Sequence, residues 1–480
     1  MKKKKLLCIV LAGIMLAFGS ACSGKGLSRI EEDSYQASTV REEKEVYAVS
    51  YDIIGGKDAM PIGAFYGPFT ASSSINGQAF PDYVSEEYFR LFDAAGVNLL
   101  VYPAEYYNSN PSSVTNALEL AEQYNMGYFV MHSYFNTVIS TKQVDMAQLA
   151  SIIKQFTSYA SFVGIHTVDE PTTVKFEGMG VLNDAFYSLG VDGIHTYANL
   201  YPTYYWQINY TGGTEENITY EEYVDRYINT VHPRFLSYDH YVFESYDGSY
   251  RSNVDYYFQN LSLIRQKAEQ YRIPFWVFVQ AGGHWNDSSQ EIPKIEHFPN
   301  EGEFMWNVST QLAYGAKGIQ YFPLLQPNNF AMAENGEWDF GRNGLIGTFG
   351  NLNQWYFYAQ KVNQHIESVD NVLMNAANEG VIASGAAKAD IESLPECIAS
   401  GKYYELENVS GDALVGCFNY HGKTALYAVN YSMTDKQTIQ LSFDKNYGYE
   451  VTQRMQTVEV AGNQIPLTLE AGEGALIVLK

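Results

Sequence analysis

The run Phe162-Val163-Gly164-Ile165-His166-Thr167-Val168-Asp169-Glu170-Pro171 decides how the rest of the chain is read. It is a short apolar segment that stops at two carboxylates and a proline, the pattern of a buried strand delivering acid groups at its C-terminal end. A (β/α)8 barrel needs such strands, because its active site is built on the loops that follow them. Seven further short apolar runs ending in polar or aromatic residues lie on either side: Pro61 to Gly67, Val97 to Pro103, Gly127 to Ser133, Gly193 to Leu200, Arg234 to His240, Pro274 to Gln280 and Gly318 to Pro323. Between them the spacing predicts helices. Ser85-Glu86-Glu87 supplies a cap and two first-turn acids, and Gly96 closes that segment. Val114 to Tyr124 sets Ala117, Leu118, Ala121 and Tyr124 on one face, and Leu149 to Tyr159 repeats the plan. This alternation predicts an α/β TIM barrel over residues 60–370.

Beyond Ile366 the texture changes. Lys402 to Leu406, Ala413 to Phe418, Thr424 to Asn430, Thr438 to Phe443 and Leu467 to Val478 alternate apolar and polar residues and are split by turn residues. Residues 371–480 therefore read as a C-terminal antiparallel β-sandwich. It holds no concentration of acids, His or Ser and is read as accessory.

At the other end, Lys2 to Lys5, the apolar run Leu6 to Phe18 and Gly19-Ser20-Ala21-Cys22 form a signal peptide with an apolar stretch too short for a comfortable membrane span. The segment resembles a bacterial lipoprotein signal, which implies cleavage after residue 21 and lipidation of Cys22, although Gly19 stands where that box usually has Leu. Ordinary secretion is the other outcome. Residues 1–22 are thus a signal, 23–59 a tether and lead-in, and the protein is expected in the cell envelope, held to the membrane by lipid alone. Cys8 leaves with the signal, and an exported chain permits a disulfide between Cys397 and Cys417.

The chain carries 54 Asp and Glu against 30 Lys and Arg, a net charge of -24, which excludes the basic footprint of a nucleic-acid binder. An anionic ligand is disfavoured unless the fold assembles a local basic patch, so a neutral ligand is the expectation. Aromatic residues make up 15% of the chain and 40 of its residues are Tyr, a composition suited to stacking on and hydrogen bonding to sugars. The expected partner is an oligo- or polysaccharide.

Strand-end residues should converge at the barrel mouth. Glycoside hydrolysis needs two carboxyl groups, one to protonate the leaving oxygen and one to attack or to activate water. Glu170 is the expected acid/base, with Asp169 raising its pKa by like-charge repulsion; a helix cap or loop salt bridge is the plain structural alternative. Asp239, in the polar and aromatic end Tyr238-Asp239-His240-Tyr241, is the expected second carboxylate. Asp169, Asn199, Tyr238, His240, Gln280, Trp285, Tyr66 and Tyr102 complete a sugar-like lining. His132, His166, His195, His240 and His284 show no ligand spacing, so no metal is expected. No dinucleotide, phosphate-loop or Gly-x-Ser-x-Gly pattern is present, so no cofactor is expected either.

Gly164 to Pro171 resembles the fourth-strand signature of clan A glycoside hydrolase barrels, where Asn-Glu-Pro carries the acid/base. Leu312 to Phe322 is similar to the eighth-strand region of β-galactosidase-like, family 42-like members, which often add a C-terminal β-sandwich. The resemblance implies a hydrolase with Glu170 as acid/base and a nucleophilic Glu at the end of the seventh strand. Two positions depart from it. Asp169 replaces the Asn, and Gln280 stands where the nucleophile belongs. Two functions follow: a hydrolase whose second acid comes from elsewhere, or a glycan-binding lipoprotein on a degenerate hydrolase barrel.

Overall fold

The computed structural model describes residues 36–70, 74–75, 78–203, 218–245, 254–283, 295–326 and 343–480. Eight parallel strands form the barrel: β1 (Ile62–Phe65), β2 (Leu99–Tyr102), β3 (Gly127–Val130), β4 (Phe162–Asp169), β5 (His195–Asn199), β6 (Leu236–Tyr238), β7 (Phe275–Gln280) and β8 (Ile319–Phe322). All eight coincide with the runs read from the sequence. Their order is β5-β4-β3-β2-β1-β8-β7-β6, and the ring closes where the Leu200 N–H donates to the Ser237 carbonyl at 2.8 Å. These strands are mostly apolar because both of their faces are covered. Phe65, Leu99, Val101, Phe129, Val163, Tyr197, Phe235, Trp276 and Phe278 fill the lumen, while Ile62, Leu100, Tyr128, Ile165, Ala198, Tyr238, Val277 and Tyr321 meet the helices outside.

The helices are α1 (Glu86–Ala94), α2 (Pro111–Gln123), α3 (Ser133–Thr141), α4 (Met146–Lys154), α5 (Thr173–Ser188), α6 (Tyr220–Val231), α7 (Val254–Tyr271), α8 (Glu301–Ala313), α9 (Gln354–Leu373) and the short α10 (Lys388–Ile391). Their starts are chemically marked. Asn110 caps α2 ahead of Pro111, Asp145 caps α4, and Thr219 with Glu222 and Asn300 with Glu303 form reciprocal capping boxes on α6 and α8. Helix α3 is extra to the barrel plan: it follows β3 directly, its first turn held by His132 Nδ1 accepting from the Tyr134 N–H at 3.0 Å.

Strand β4 carries two irregularities that matter for the site. Its register shifts against β3 next to Gly164, and against β5 between His166 and Val168. Gly164 sits at φ +149°, and a Cβ there would lie 1.8 Å from the His195 carbonyl oxygen, so only glycine lets the two strands approach. The second shift leaves Thr167 unpaired. His166 faces the lumen, and strict alternation would also turn Val168 inward and Asp169 outward; the bulge reverses that. Val168 packs with the helix layer, and Asp169 pairs with Asn199 across from β5.

The segment before β1 is not a free tether from residue 36 onward. Ser38 N–H donates to the Lys480 carbonyl and Arg41 N–H to that of Gly422, both at 2.8 Å, and Lys44 pairs with Glu379 at 2.8 Å. The Arg41 guanidinium lies 3.6 Å from the centre of the Tyr404 ring. Arg41 and Lys44 of the expected tether are thus matched by the last domain. Val49 and Tyr51 then join the lumen aromatics, so the lead-in plugs the barrel floor. Residues 1–35, with Cys22 and the signal, lie outside the described residues; no helix among those described is long and apolar enough to cross a membrane.

The C-terminal domain contains β9 (Ala376–Ser384), β10 (Leu406–Ser410), β11 (Ala413–Tyr420), β12 (Lys423–Asn430), β13 (Gln437–Gln453), β14 (Gln456–Leu469) and β15 (Gly474–Leu479) in the order β9-β11-β12-β15-β13-β10, with β14 on β13. The long β13 shifts register against β14 between Ser442 and Tyr447, its first half pairing with β10 and its second with β15. On β11 and β12 the period of two splits the side chains: Leu414, Phe418, Ala425, Tyr427 and Val429 pack toward the barrel, whereas Val415, Cys417, Leu426 and Ala428 fill the sandwich core. The disulfide that export would permit does not form, and both thiols are free. Gly380 of β9 pairs with Cys417 on one side, while its neighbour Val381 pairs with Cys397 on the other. A strand therefore runs between the two cysteines, and a disulfide reaches across no more than about 7 Å between Cα atoms.

Candidate functional site

The mouth is organised by one amide. Asn199, the last residue of β5, donates from Nδ2 to Asp239 Oδ1 at 3.0 Å and to Asp169 Oδ1 at 3.4 Å. Oxygens bonded to the same nitrogen are no further apart than the two bonds laid end to end, about 6.4 Å. The structure thus brings the fourth- and sixth-strand acids together across the intervening strand.

The orientation of that amide is itself determined. Ser237 Oγ donates to Asn199 Oδ1 at 3.1 Å, Gln320 Nε2 donates to Ser237 Oγ at 2.8 Å, and Tyr197 OH donates to Gln320 Oε1 at 2.6 Å. With its oxygen engaged by Ser237, Asn199 can only offer N–H to the carboxylates. The chain of donors crosses β5, β6 and β8 in the lumen, where a half-satisfied polar network would be costly. Sequence reasoning missed Tyr197, Ser237 and Gln320. The available signal was their lumen-facing parity: each alternates with residues that meet the helices.

Asp169 is solvent-exposed, whereas Asp239 is 5% exposed. The surrounding protein pushes the Asp169 carboxyl up to about 6, while Asn199, Lys175 and the Glu170 N–H pull it back. Water in the open mouth counters part of that upward push. Raising a carboxyl toward neutrality is what a general acid requires.

Glu170 occupies the next position in a left-handed turn, φ +45°, with its N–H donating to the Asn199 carbonyl at 2.8 Å. Its backbone is fixed beside the pair; the link to Asp239 through Asn199 belongs to Asp169. The raised group is Asp169, and the cause is desolvation by the surrounding protein, not repulsion from a second carboxylate.

Gln280 is turned over to loop clipping. Its Nε2 donates to the carbonyls of His297 at 2.9 Å, Gly282 at 3.1 Å and Phe243 at 3.4 Å, while its Oε1 accepts from the Phe243 N–H at 3.2 Å. Its amide hydrogens are committed to backbone carbonyls, and a carboxylate in its place would face three carbonyl oxygens.

Tyr238 and His240 also leave the expected lining. Tyr238 is fully buried in the outer, helix-facing core, and its hydroxyl has no hydrogen-bond partner among the described residues. His240 is buried with Nδ1 against Asn260 Oδ1 at 3.1 Å, tying the end of β6 to α7. Parity explains both: Ser237 and Asp239 face inward, so their neighbours face the helices. His166 bonds the Val101 carbonyl through Nδ1 at 3.0 Å, and burial lowers it to about 4. His195 lies at the opposite, N-terminal end of the barrel against Tyr51. His132, His166, His195 and His240 therefore do not converge. Trp285 and His284 fall outside the described residues.

Tyr66 and Tyr102 do reach the mouth. Both are half-buried and stack at 6.2 Å, with Tyr102 also stacked on Phe65 at 4.6 Å. On the far side Tyr241 and Phe322 pack at 5.6 Å. Half-buried rings thus flank the two acids.

No family model and no curated protein matches the sequence. Solved structures similar to the chain include glycoside hydrolases. One described simply as a glycoside hydrolase is 10% identical, with a TM-score of 0.48 over 91% of this chain and 97% of its own. A glycoside hydrolase family 5 protein from Bacteroides vulgatus ATCC 8482 is 10% identical, with a TM-score of 0.47 over 88% and 89%. A family 27 β-L-arabinopyranosidase from Geobacillus stearothermophilus is 10% identical, with a TM-score of 0.44 over 88% and 97%. The barrel and sandwich rest on the strand pairing described above; likeness at this level does not carry an activity across.

Proposed function

We propose that the protein is a glycoside hydrolase acting at the barrel mouth with Asp169 and Asp239 as its carboxylate pair. The observation that carries this reading is the single amide nitrogen of Asn199 bonded to both acids. The two oxygens bonded to that nitrogen lie within about 6.4 Å of each other, which accommodates the retaining arrangement of about 5 to 5.5 Å. Asp169, raised and open to solvent, takes the acid/base role; Asp239, held by Asn199, is the second carboxylate. Tyr66 and Tyr102 offer ring faces to the sugar. The expected role of Glu170 passes to Asp169 because Asn199 couples Asp169 to the second acid. A family 42-like mechanism requires an acid at Gln280, so the proposal does not rest on that family's arrangement. Export and anchoring through Cys22 belong to the proposal on the strength of the N-terminal sequence alone.

The test is incubation of the wild-type chain with a glycan panel, with product analysis and single variants. Asp169→Asn and Asp239→Asn should each lower turnover by roughly a hundredfold or more, the scale of losing an acid/base or a nucleophile, and Glu170→Gln should lower it far less. Full activity in Asp169→Asn combined with an inactive Glu170→Gln overturns the assignment. Tight glycan binding with no product from the wild type would instead make this a glycan-binding barrel.

A further inference from the structure

A crevice of about 520 Å³ opens beside Asp169, between the ends of β2, β3 and β4 and the helices α3 and α5. Tyr102, Tyr106 and Asn136 line it, with Asn136 Nδ2 donating to Tyr106 OH at 3.1 Å. The other charged groups in its wall are two cations, Lys142 and Lys175, in a chain whose net charge is -24.

Lys175 runs against local preference. It stands in the first turn of α5, where the helix dipole favours acids and disfavours cations. That turn contains no acid, and the cap residue Thr172 makes no side-chain capping bond. Among the described residues Lys175 forms no salt bridge, and it acts electrostatically on Asp169. A residue that breaks a local rule without a folding gain is a candidate for function. Lys142, the left-handed C-cap of α3, pairs with Glu177 at 2.5 Å, but both side chains are exposed, at 45% and 68%. An exposed pair of this kind contributes little and exchanges readily for another anion.

We infer that this crevice takes the negatively charged substituent of an acidic glycan, a carboxylate or a sulfate on the sugar bound beside Asp169, held by Lys175 and Lys142. The inference rests on the reading that a glycan enters the mouth, and it deepens that reading by naming the class of sugar. It also replaces the expectation of a neutral ligand, which held only while no basic patch was in view. Carboxylate and sulfate share the recognition chemistry: ammonium groups donate charge-assisted hydrogen bonds to either.

The experiment is calorimetric titration of the whole exported chain with matched pairs of sugars at low and high salt. The pairs are glucose with glucuronate, galactose with galacturonate, and galactose with galactose 6-sulfate. The anionic member should bind roughly tenfold tighter or better at low salt, the scale of one charge-assisted bond, and the gap should narrow as salt rises. The uronate and sulfate arms tell the two sources of charge apart. Lys175→Gln should shrink the preference, Lys142→Gln with Lys175→Gln should abolish it, and Lys175→Arg should keep it. Equal affinity within every pair, no binding of any anionic member, or a preference that survives the double variant each overturns the inference; the last two outcomes would leave Lys175 as a counter-charge to Asp169. The two readings fail separately. Charge preference without product release from any glycan leaves the crevice and removes hydrolysis, and product release without charge preference does the reverse.

Discussion

Replacing Gln280 with Glu would place an acid at the end of the seventh strand, yet the structure predicts damage and no gain. Gln280 is 3% exposed, and its Nε2 donates toward three backbone carbonyls from the loops after β6 and β7. A carboxylate keeps the bond from the Phe243 N–H and loses all the donations. Each buried carbonyl stripped of its donor costs about 1 to 3 kcal/mol, and an unpaired buried charge about 3 to 5. The substituted residue escapes part of this by binding a proton, which lets it donate one bond. Its folded pKa is therefore raised above the unfolded value of about 4.3. Between those two values the native state holds more protons than the unfolded state, so stability falls as pH rises; below the unfolded value the charge penalty vanishes. At pH 7 to 8 we expect Gln280→Glu to lose about 3 to 5 kcal/mol, read as a melting temperature lower by roughly 5 to 10 °C, with much of the gap closing near pH 4. The assay is paired thermal melts of wild type and variant across that range, beside the glycan-panel assay. Equal melting at pH 8, or new hydrolytic activity in the variant, refutes the reading of this side chain as a loop clip.

Three further outcomes test other parts of the argument. Asn199→Ala removes a donor that favours the ionised form of Asp169, so the alkaline limb of the kcat/KM profile, set near 6 by loss of the acid's proton, should move up by about one pH unit; a limb that stays or moves down contradicts Asp169 as the acid. Gly164→Ala should destabilise the barrel by more than about 3 kcal/mol, because its Cβ would meet the His195 carbonyl at 1.8 Å in a backbone conformation that L residues avoid; an unchanged denaturation midpoint contradicts the close approach of β4 and β5. Thiol titration in denaturant without reductant, on the chain lacking its first 35 residues, should count both Cys397 and Cys417; no reactive thiol would mean that they are bridged after all.

The eight strands were legible because a parallel barrel buries both faces of each one, which turns every strand into a continuous apolar run. The sandwich was legible from the opposite pattern, a period of two. What the sequence withheld was which strand-end side chain faces the mouth. Counted outward from the lumen-facing His166, plain alternation points Glu170 inward and Asp169 away. The bulge at Thr167 reverses the count and joins Asp169 to Asn199 and Asp239. A threonine in a strand gives no warning of a bulge, since the shift arises from pairing with β5. The same parity, undisturbed on β6, sends Tyr238 and His240 to the helices and leaves Asp239 inside. Gln280 shows a second kind of blindness. Its loss of an acid was plain in the sequence, but its partners come from residues 243, 282 and 297, three positions brought together only by folding. The two findings bear on each other. The proposed pair on β4 and β6 requires no acid on β7, which is compatible with Gln280 holding the loops.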